Sequence, residues 1–127
     1  TLGLSREDPT IVVTPQESNR FIGGAGVVAA HAASLGASVK LISVVGKDET
    51  GDFAKSYLLE AGVATDFVED LSRPTTLKTR FRADSKTLLR VSRLRQHDID
   101  RESQTALLKL VKDKISDLDL SFPLYFV

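Results

Sequence analysis

Apolar residues along this chain fall into short blocks whose spacing switches between strand-like and helix-like periods. Thr10-Ile11-Val12-Val13-Thr14 is a β-branched run held between Pro9 and Pro15, which predicts a strand near a sheet edge. A second strand is expected around 19–22, running into Gly23-Gly24. Across 25–35 the residues are almost all apolar, mostly Ala and Val, with one His, and Gly36 follows, so the pattern predicts a buried helix closed by a glycine C-cap. The near-continuous apolar run Val39-Lys40-Leu41-Ile42-Ser43-Val44-Val45 reads as a strand of a parallel sheet covered on both faces, ended by Gly46. Asp48 and Glu49 then open an amphipathic helix through Phe53, Tyr57, Leu58 and Ala61, with Gly62 as its stop.

Two strand-to-helix units in succession predict an α/β layered domain with right-handed crossovers. Short strands are expected at 65–68, 76–83 and 87–93, the last two forming a hairpin about Asp84-Ser85. Asp100 is placed to cap a helix whose Leu107, Leu110, Val111, Ile115 and Leu118 make one apolar stripe, followed by a closing strand at 122–127. With 127 residues and 42% hydrophobic content the chain can bury a core as one domain. Seventeen basic and seventeen acidic residues cancel, so no whole-molecule field favours nucleic acid or a membrane as partner. No cysteine is present, which excludes disulfides and thiolate metal sites. Neither a basic-then-apolar leader nor an 18-residue apolar run occurs in it, and a cytoplasmic protein is expected. The apolar ending Leu124-Tyr125-Phe126-Val127 suggests part of something longer.

Charge is uneven on the local scale. Lys78, Arg80, Arg82, Lys86, Arg90, Arg93 and Arg95 give seven cations between positions 78 and 95 against one acid, Asp84. Strand alternation puts Lys78, Arg80 and Arg82 on one face, opposite Leu77, Thr79, Phe81 and Ala83. Such a ladder serves either as a solvated face protecting an exposed edge from aggregation or as an anion site. Same-face side chains stand about 6 to 7 Å apart, a spacing able to surround a phosphorylated ligand with arginine forks. Nucleic acid fits less well, because Phe81 lies on the opposite face and cannot interleave with the cations.

Gly23-Gly24 before a helix either answers the backbone demands of a strand-to-helix turn or lets ligand hydroxyls approach the backbone closely. The spacing Gly23-Gly24-Ala25, Ala29, Gly36 and Gly46 resembles the first signature of the ribokinase, or phosphofructokinase-B-type, carbohydrate kinases. Val44-Val45-Gly46-Lys47-Asp48-Glu49-Thr50-Gly51 and Leu59-Glu60-Ala61-Gly62-Val63 resemble the next strand end and helix of that family. Pro74-Thr75-Thr76-Leu77-Lys78-Thr79-Arg80 with Leu88-Leu89-Arg90 is most similar to heptose 7-phosphate kinase domains. The resemblance implies a ribokinase-like fold, a Rossmann-like body with a small β-sheet lid, present here only in part. Lid strands are expected at about 10–22 and 76–93, and α/β body at about 23–64 and 100–127. It further implies phosphoryl transfer from ATP with Mg²⁺ to a sugar or sugar phosphate, and a homodimer formed through the lid.

On that resemblance Gly23 and Gly24 receive the sugar, while Lys78, Arg80 and Arg90 meet an anionic substituent or make lid contacts. Two departures stand out. Val27 occupies the position of a family asparagine that contacts sugar hydroxyls, and an unpartnered hydroxyl costs about 1 to 3 kcal/mol. The family's catalytic aspartate lies in a later Gly-Ala-Gly-Asp-type segment, and another sugar-binding aspartate in its first strand; neither segment occurs in these 127 residues. All candidate roles are therefore binding roles, with no catalytic residue or metal ligand assigned. A non-catalytic member using the lid for dimerisation or partner binding is the alternative, and a nucleoside kinase would prefer a less cationic hairpin. His31, Asp48, Glu49, Asp52, Asp98, Asp100 and Glu102 are read as structural or capping residues.

Overall fold

The computed structural model describes residues 2–115, so Leu118 and the expected strand at 122–127 lie outside the described residues. In chain order the elements are β1 (Leu2–Leu4), β2 (Ile11–Val13), α1 (Gly24–Ser34), β3 (Lys40–Val45), α2 (Glu49–Glu60), β4 (Ala64–Glu69), β5 (Leu77–Ala83), β6 (Lys86–Arg93) and α3 (Arg101–Ile115). They fall into two compact units: Thr1–Phe21 with Leu77–Ser92, and Ile22–Thr76 with the chain from Arg93 onward.

In the second unit β3 and β4 pair in parallel, from Lys40↔Ala64 to Val45↔Glu69, with α2 as the crossover between them. The helix α1 packs on β3, α2 on β4, and α3 on both strands. Leu58 and Val63 are each 1% exposed and, with Ala29, form the core against Ile22, Ala33, Val39, Leu41 and Phe67. Their burial follows from how α2 ends. Gly62 takes φ +78, the Val63 amide donates to the Leu58 carbonyl at 2.9 Å, and the two side chains that flank this reversal become the core pair. Gly36, at φ +94, ends α1 in the same way, its amide donating to Ala33 and that of Ala37 to Ala32. The cap of α3 is the expected one, with the Ser103 amide donating to Asp100 Oδ1 at 2.7 Å.

The other unit holds two ribbons. β1 pairs antiparallel with β2, from Leu2↔Val13 to Leu4↔Ile11, a partner strand that a three-residue apolar stretch did not announce. β5 and β6 pair through Asp84-Ser85, where φ is 49° and 66°. Positive φ at both central residues is the hairpin geometry whose twist matches that of the flanking strands.

Three expectations are corrected. No strand forms around 19–22, since Phe21 is 83% exposed and Ile22 instead folds its side chain against Gly26, filling the space a Cβ there would need. The helix α1 is not buried all round: among its described residues only Gly26 and Ala29 are buried, Val28 is 69% exposed, and His31 is exposed too. One stripe of α1 meets β3 and α2. The strand β3 is half-buried along most of its length rather than covered throughout, because β4 is its one hydrogen-bonded neighbour among the described residues.

Candidate functional site

Parallel strands joined by helices bring their carboxyl ends to one edge, and α/β domains bind ligands there. At this edge β3 ends in Val45 and Gly46, and β4 ends in Glu69 and Asp70. The amino terminus of α2 begins there by connection. The helix α1 turns back through Gly36 into the strand it packs on. Gly46–Asp48 and the segment 70–75 therefore share one rim of the second unit, and the chain path directs the start of α1 toward the same side.

The rim is locked by a close backbone approach. A Cβ at Gly46 would stand 2.5 Å from the Arg73 carbonyl oxygen, 2.7 Å from the Thr75 nitrogen and 2.9 Å from the Pro74 carbonyl carbon, so no other residue fits. The Gly46 amide donates to Thr75 Oγ1 at 2.9 Å. Asp48 caps α2 by accepting the Gly51 amide on Oδ1 at 2.9 Å, and accepts the Thr75 amide on Oδ2 at 2.8 Å. Hydrogen bonding from the Thr75 side chain holds the Asp48 carboxyl below the usual carboxylate range. The Gly51 and Thr75 amides and the charge of Arg93 act in the same direction, against the opposing effect of burial.

A second knot follows immediately. Asp70 is 2% exposed and accepts the Ser72 hydroxyl at 2.6 Å and the Ser72 amide at 2.9 Å on Oδ1, with Arg73 Nε on Oδ2 at 2.9 Å. The Ser72 hydroxyl and amide, and then Arg73, keep this carboxyl low despite its burial. Arg73 Nη2 also donates to the His97 carbonyl at 3.1 Å and meets His97 Nδ1 at 3.2 Å. Sequence reasoning missed Asp70, Arg73, Thr75 and His97. The available signal was Asp70-Leu71-Ser72-Arg73, a side-chain-capped turn sequence placed just after a strand.

Between these knots lies an open cleft of about 570 Å³, lined by Lys47, Asp48, Leu71, Ser72, Arg73, Pro74, Arg93 and Arg95. Four of its residues are cationic and one is acidic.

The residues singled out from the sequence divide between the two units. Gly23 is the extended N-cap of α1 and Gly24 its first residue at φ +48, with open space where either Cβ would stand. Glycine is needed at Gly24 for its backbone angle rather than for lack of room. Lys78 and Arg80 stand on β5 and Arg90 on β6, all exposed, in the other unit. On the opposite face of β5, Phe81 and Ala83 are half-buried, while Leu77 and Thr79 are exposed. Val27 is half-buried in α1. Among the described residues no three His, Cys, Asp or Glu side chains group to hold a metal ion, and both Asp48 oxygens are committed to amides. Asp48 and Asp70 thus spend their carboxylate oxygens on donors of the protein itself rather than offering them to a Mg²⁺ ion. No helix among them is long and apolar enough to cross a membrane.

The profile of the pfkB family carbohydrate kinases matches residues 3–125. This chain belongs to the pfkB family. The α/β architecture of the described residues, with three helices and small sheets, accords with part of that family's ribokinase-like fold. Among pfkB-related proteins, the D-beta-D-heptose 7-phosphate kinase of Bordetella bronchiseptica is 46% identical over 88 residues, covering 69% of this chain and 28% of that protein. The bifunctional protein HldE of Nitratiruptor is 35% identical over 117 residues, covering 92% of this chain and 25% of the relative. That of Helicobacter pylori strain 26695 is 35% identical over 117 residues, covering 91% and 25%. The chain thus spans about a quarter of the length of these relatives.

Proposed function

We propose that the protein carrying this chain is a sugar kinase that phosphorylates a sugar or sugar phosphate, with heptose 7-phosphate as the leading acceptor and ATP as donor. The observation that carries this reading is the Gly23-Gly24 step that opens α1, in a chain of the pfkB family. With Gly24 at φ +48 and no atom within 4 Å of where its Cβ would be, backbone amides at the start of α1 are open to sugar hydroxyls. Lys78, Arg80 and Arg90 supply cations for an anionic substituent, or contacts made by the hairpin acting as a lid. The similarity to the D-beta-D-heptose 7-phosphate kinase of Bordetella bronchiseptica supports heptose 7-phosphate. Positioning and charge stabilisation are the roles left to these residues, since phosphoryl transfer asks little covalent chemistry of the protein. ATP would supply the transferred phosphoryl group and Mg²⁺ would neutralise its charge.

Isothermal titration of the intact protein with heptose 7-phosphate and with the unphosphorylated heptose tests the assignment. Binding of the phosphorylated sugar at least tenfold tighter, about 1.4 kcal/mol, is expected; equal or absent binding defeats it.

A second reading is a non-catalytic pfkB protein using its hairpin for self-association or partner binding. It is favoured by Val27, which can form no hydrogen bond to a sugar, and by Leu88, Leu89 and Val91 on β6, which are 37%, 54% and 47% exposed. ATP-dependent phosphorylation of heptose 7-phosphate by the intact protein would exclude it.

A further inference from the structure

The cleft at the rim of β3 and β4 combines features that the hairpin ladder lacks. Lys47 and Arg95 are exposed and make no ion pair among the described residues, and Arg93, also exposed, lines the same cleft. Arg73 is pinned by Asp70 and His97, so its guanidinium is fixed before any ligand arrives. The single carboxylate on the lining, Asp48, has both oxygens occupied by amides of the protein itself. Like charges gathered around a concavity repel one another, and an anion entering it relieves that repulsion. Leu71, 79% exposed, and Pro74 add an apolar wall beside the cations. A volume of about 570 Å³ suits a small metabolite.

We propose that this cleft binds the phosphate group of a small phosphate monoester, held by Lys47, Arg93 and Arg95 around the fixed Arg73, with the carbon skeleton against Leu71 and Pro74. Guanidinium forks match phosphate oxygens two at a time, and a site whose donors are already positioned loses little order on binding. A solvated surface would scatter its cations over a convex face; here they surround a hollow, and the neighbouring backbone is tied by Gly46 and Thr75. The proposal rests on the sugar-kinase reading only for the source of the ester, which is either the acceptor sugar phosphate or a separate phosphorylated metabolite.

The intact protein is titrated calorimetrically with inorganic phosphate, glucose 6-phosphate and glucose at constant ionic strength, alongside Arg95→Ala, Lys47→Ala and Arg95→Lys. Lys112→Ala, an exposed cation of α3, serves as the charge-matched control, and thermal melts verify that each variant folds. Millimolar or tighter binding of both phosphates but not glucose is expected, weakened about tenfold in each alanine variant, partly restored in Arg95→Lys and unchanged in Lys112→Ala. No phosphate binding, or binding indifferent to Arg95 and Lys47, overturns the proposal.

Heptose 7-phosphate competing with inorganic phosphate, with KM raised and kcat kept in Arg95→Ala, assigns the ester to the acceptor. Arg95-dependent phosphate binding without such competition, or in a protein without kinase activity, upholds the cleft. The second of these outcomes would at the same time remove the kinase reading.

Discussion

Two regions of this molecule carry dense positive charge and hold it in opposite ways. Four cations line the cleft at the rim of the parallel pair, and five stand on Leu77–Ser92. At the rim, Gly46 admits the backbone of 73–75 with no space to spare, and the carboxylates of Asp48 and Asp70 are saturated by amides, a hydroxyl and a guanidinium. On the hairpin, every residue of β6 is exposed, and among the described residues the one hydrogen bond found there for a cation runs from Arg82 Nη2 to the Ser85 carbonyl at 2.9 Å. Charge density alone therefore does not mark a binding site. What separates the regions is how much surrounding structure fixes the groups that carry the charge.

The sharpest way to break this contrast is to substitute glycines. Gly46→Ala pushes a methyl group into three backbone atoms that cannot rotate away, and a loss of about 3 kcal/mol is expected in urea unfolding of the intact protein. Gly23→Ala, with extended backbone and empty space around it, should cost about 1 kcal/mol or less, through the poorer N-cap alone. Equal losses would mean that the rim is no more constrained than the turn before α1.

Next in size is the hydroxyl that bridges the rim. Thr75→Val keeps the shape and removes the acceptor of the Gly46 amide, leaving a buried donor unpaired at about 1 to 3 kcal/mol. Thr75→Ser should recover most of that loss. Arg80→Ala on the hairpin, which removes no hydrogen bond found here, should stay within about 0.5 kcal/mol.

Much of the fold was legible because it depends on local rules. Gly36 and Gly62 followed an apolar and an amphipathic helix and became left-handed caps, Asp48 and Asp100 preceded helices and capped them, and Asp84-Ser85 lay between two strand patterns and became the turn. The rim was not legible. Thr75 lies 29 residues from Gly46, and His97 lies 24 from Arg73, so their pairing depends on chain paths that no local pattern contains. The failed strand at 19–22 shows the converse: strand propensity has no effect where the tertiary structure provides no partner. The Gly23-Gly24 step was found from spacing, while its open surroundings could be read only from coordinates.

Acid provides a graded test of the same knots. Asp48 and Asp70 both have folded pKa values lowered from 3.8. Their contribution to stability is therefore complete above the unfolded carboxylate pKa and is lost as pH falls through the lower folded values. Stability should be flat from neutrality down to about pH 4 as far as these two groups are concerned, then decline below it. Asp48→Asn should flatten that decline and cost about 1 kcal/mol at neutral pH, because the NH2 group that replaces one carboxylate oxygen cannot accept from the Gly51 or Thr75 amide. Asp70→Asn should flatten it as well, and a decline unchanged in both variants would show that neither carboxylate is bound as described.

The smallest effect belongs to the hairpin and runs in the other direction. Ser85 sits at φ 66°, where an L-residue pays about 1 to 2 kcal/mol for the approach of its Cβ to the following carbonyl. Glycine removes that strain but gives back roughly 0.5 to 1 kcal/mol, because it loses more freedom on folding. Ser85→Gly should thus stabilise the ribbon by about 0.5 kcal/mol, the small difference between those two terms. The Arg82 bond to the carbonyl of residue 85 survives the change, since it uses backbone alone. Slower amide exchange along β5 and β6, without any change at the rim, is the expected signature; a destabilised ribbon would mean that the Ser85 side chain contributes something beyond its backbone angle.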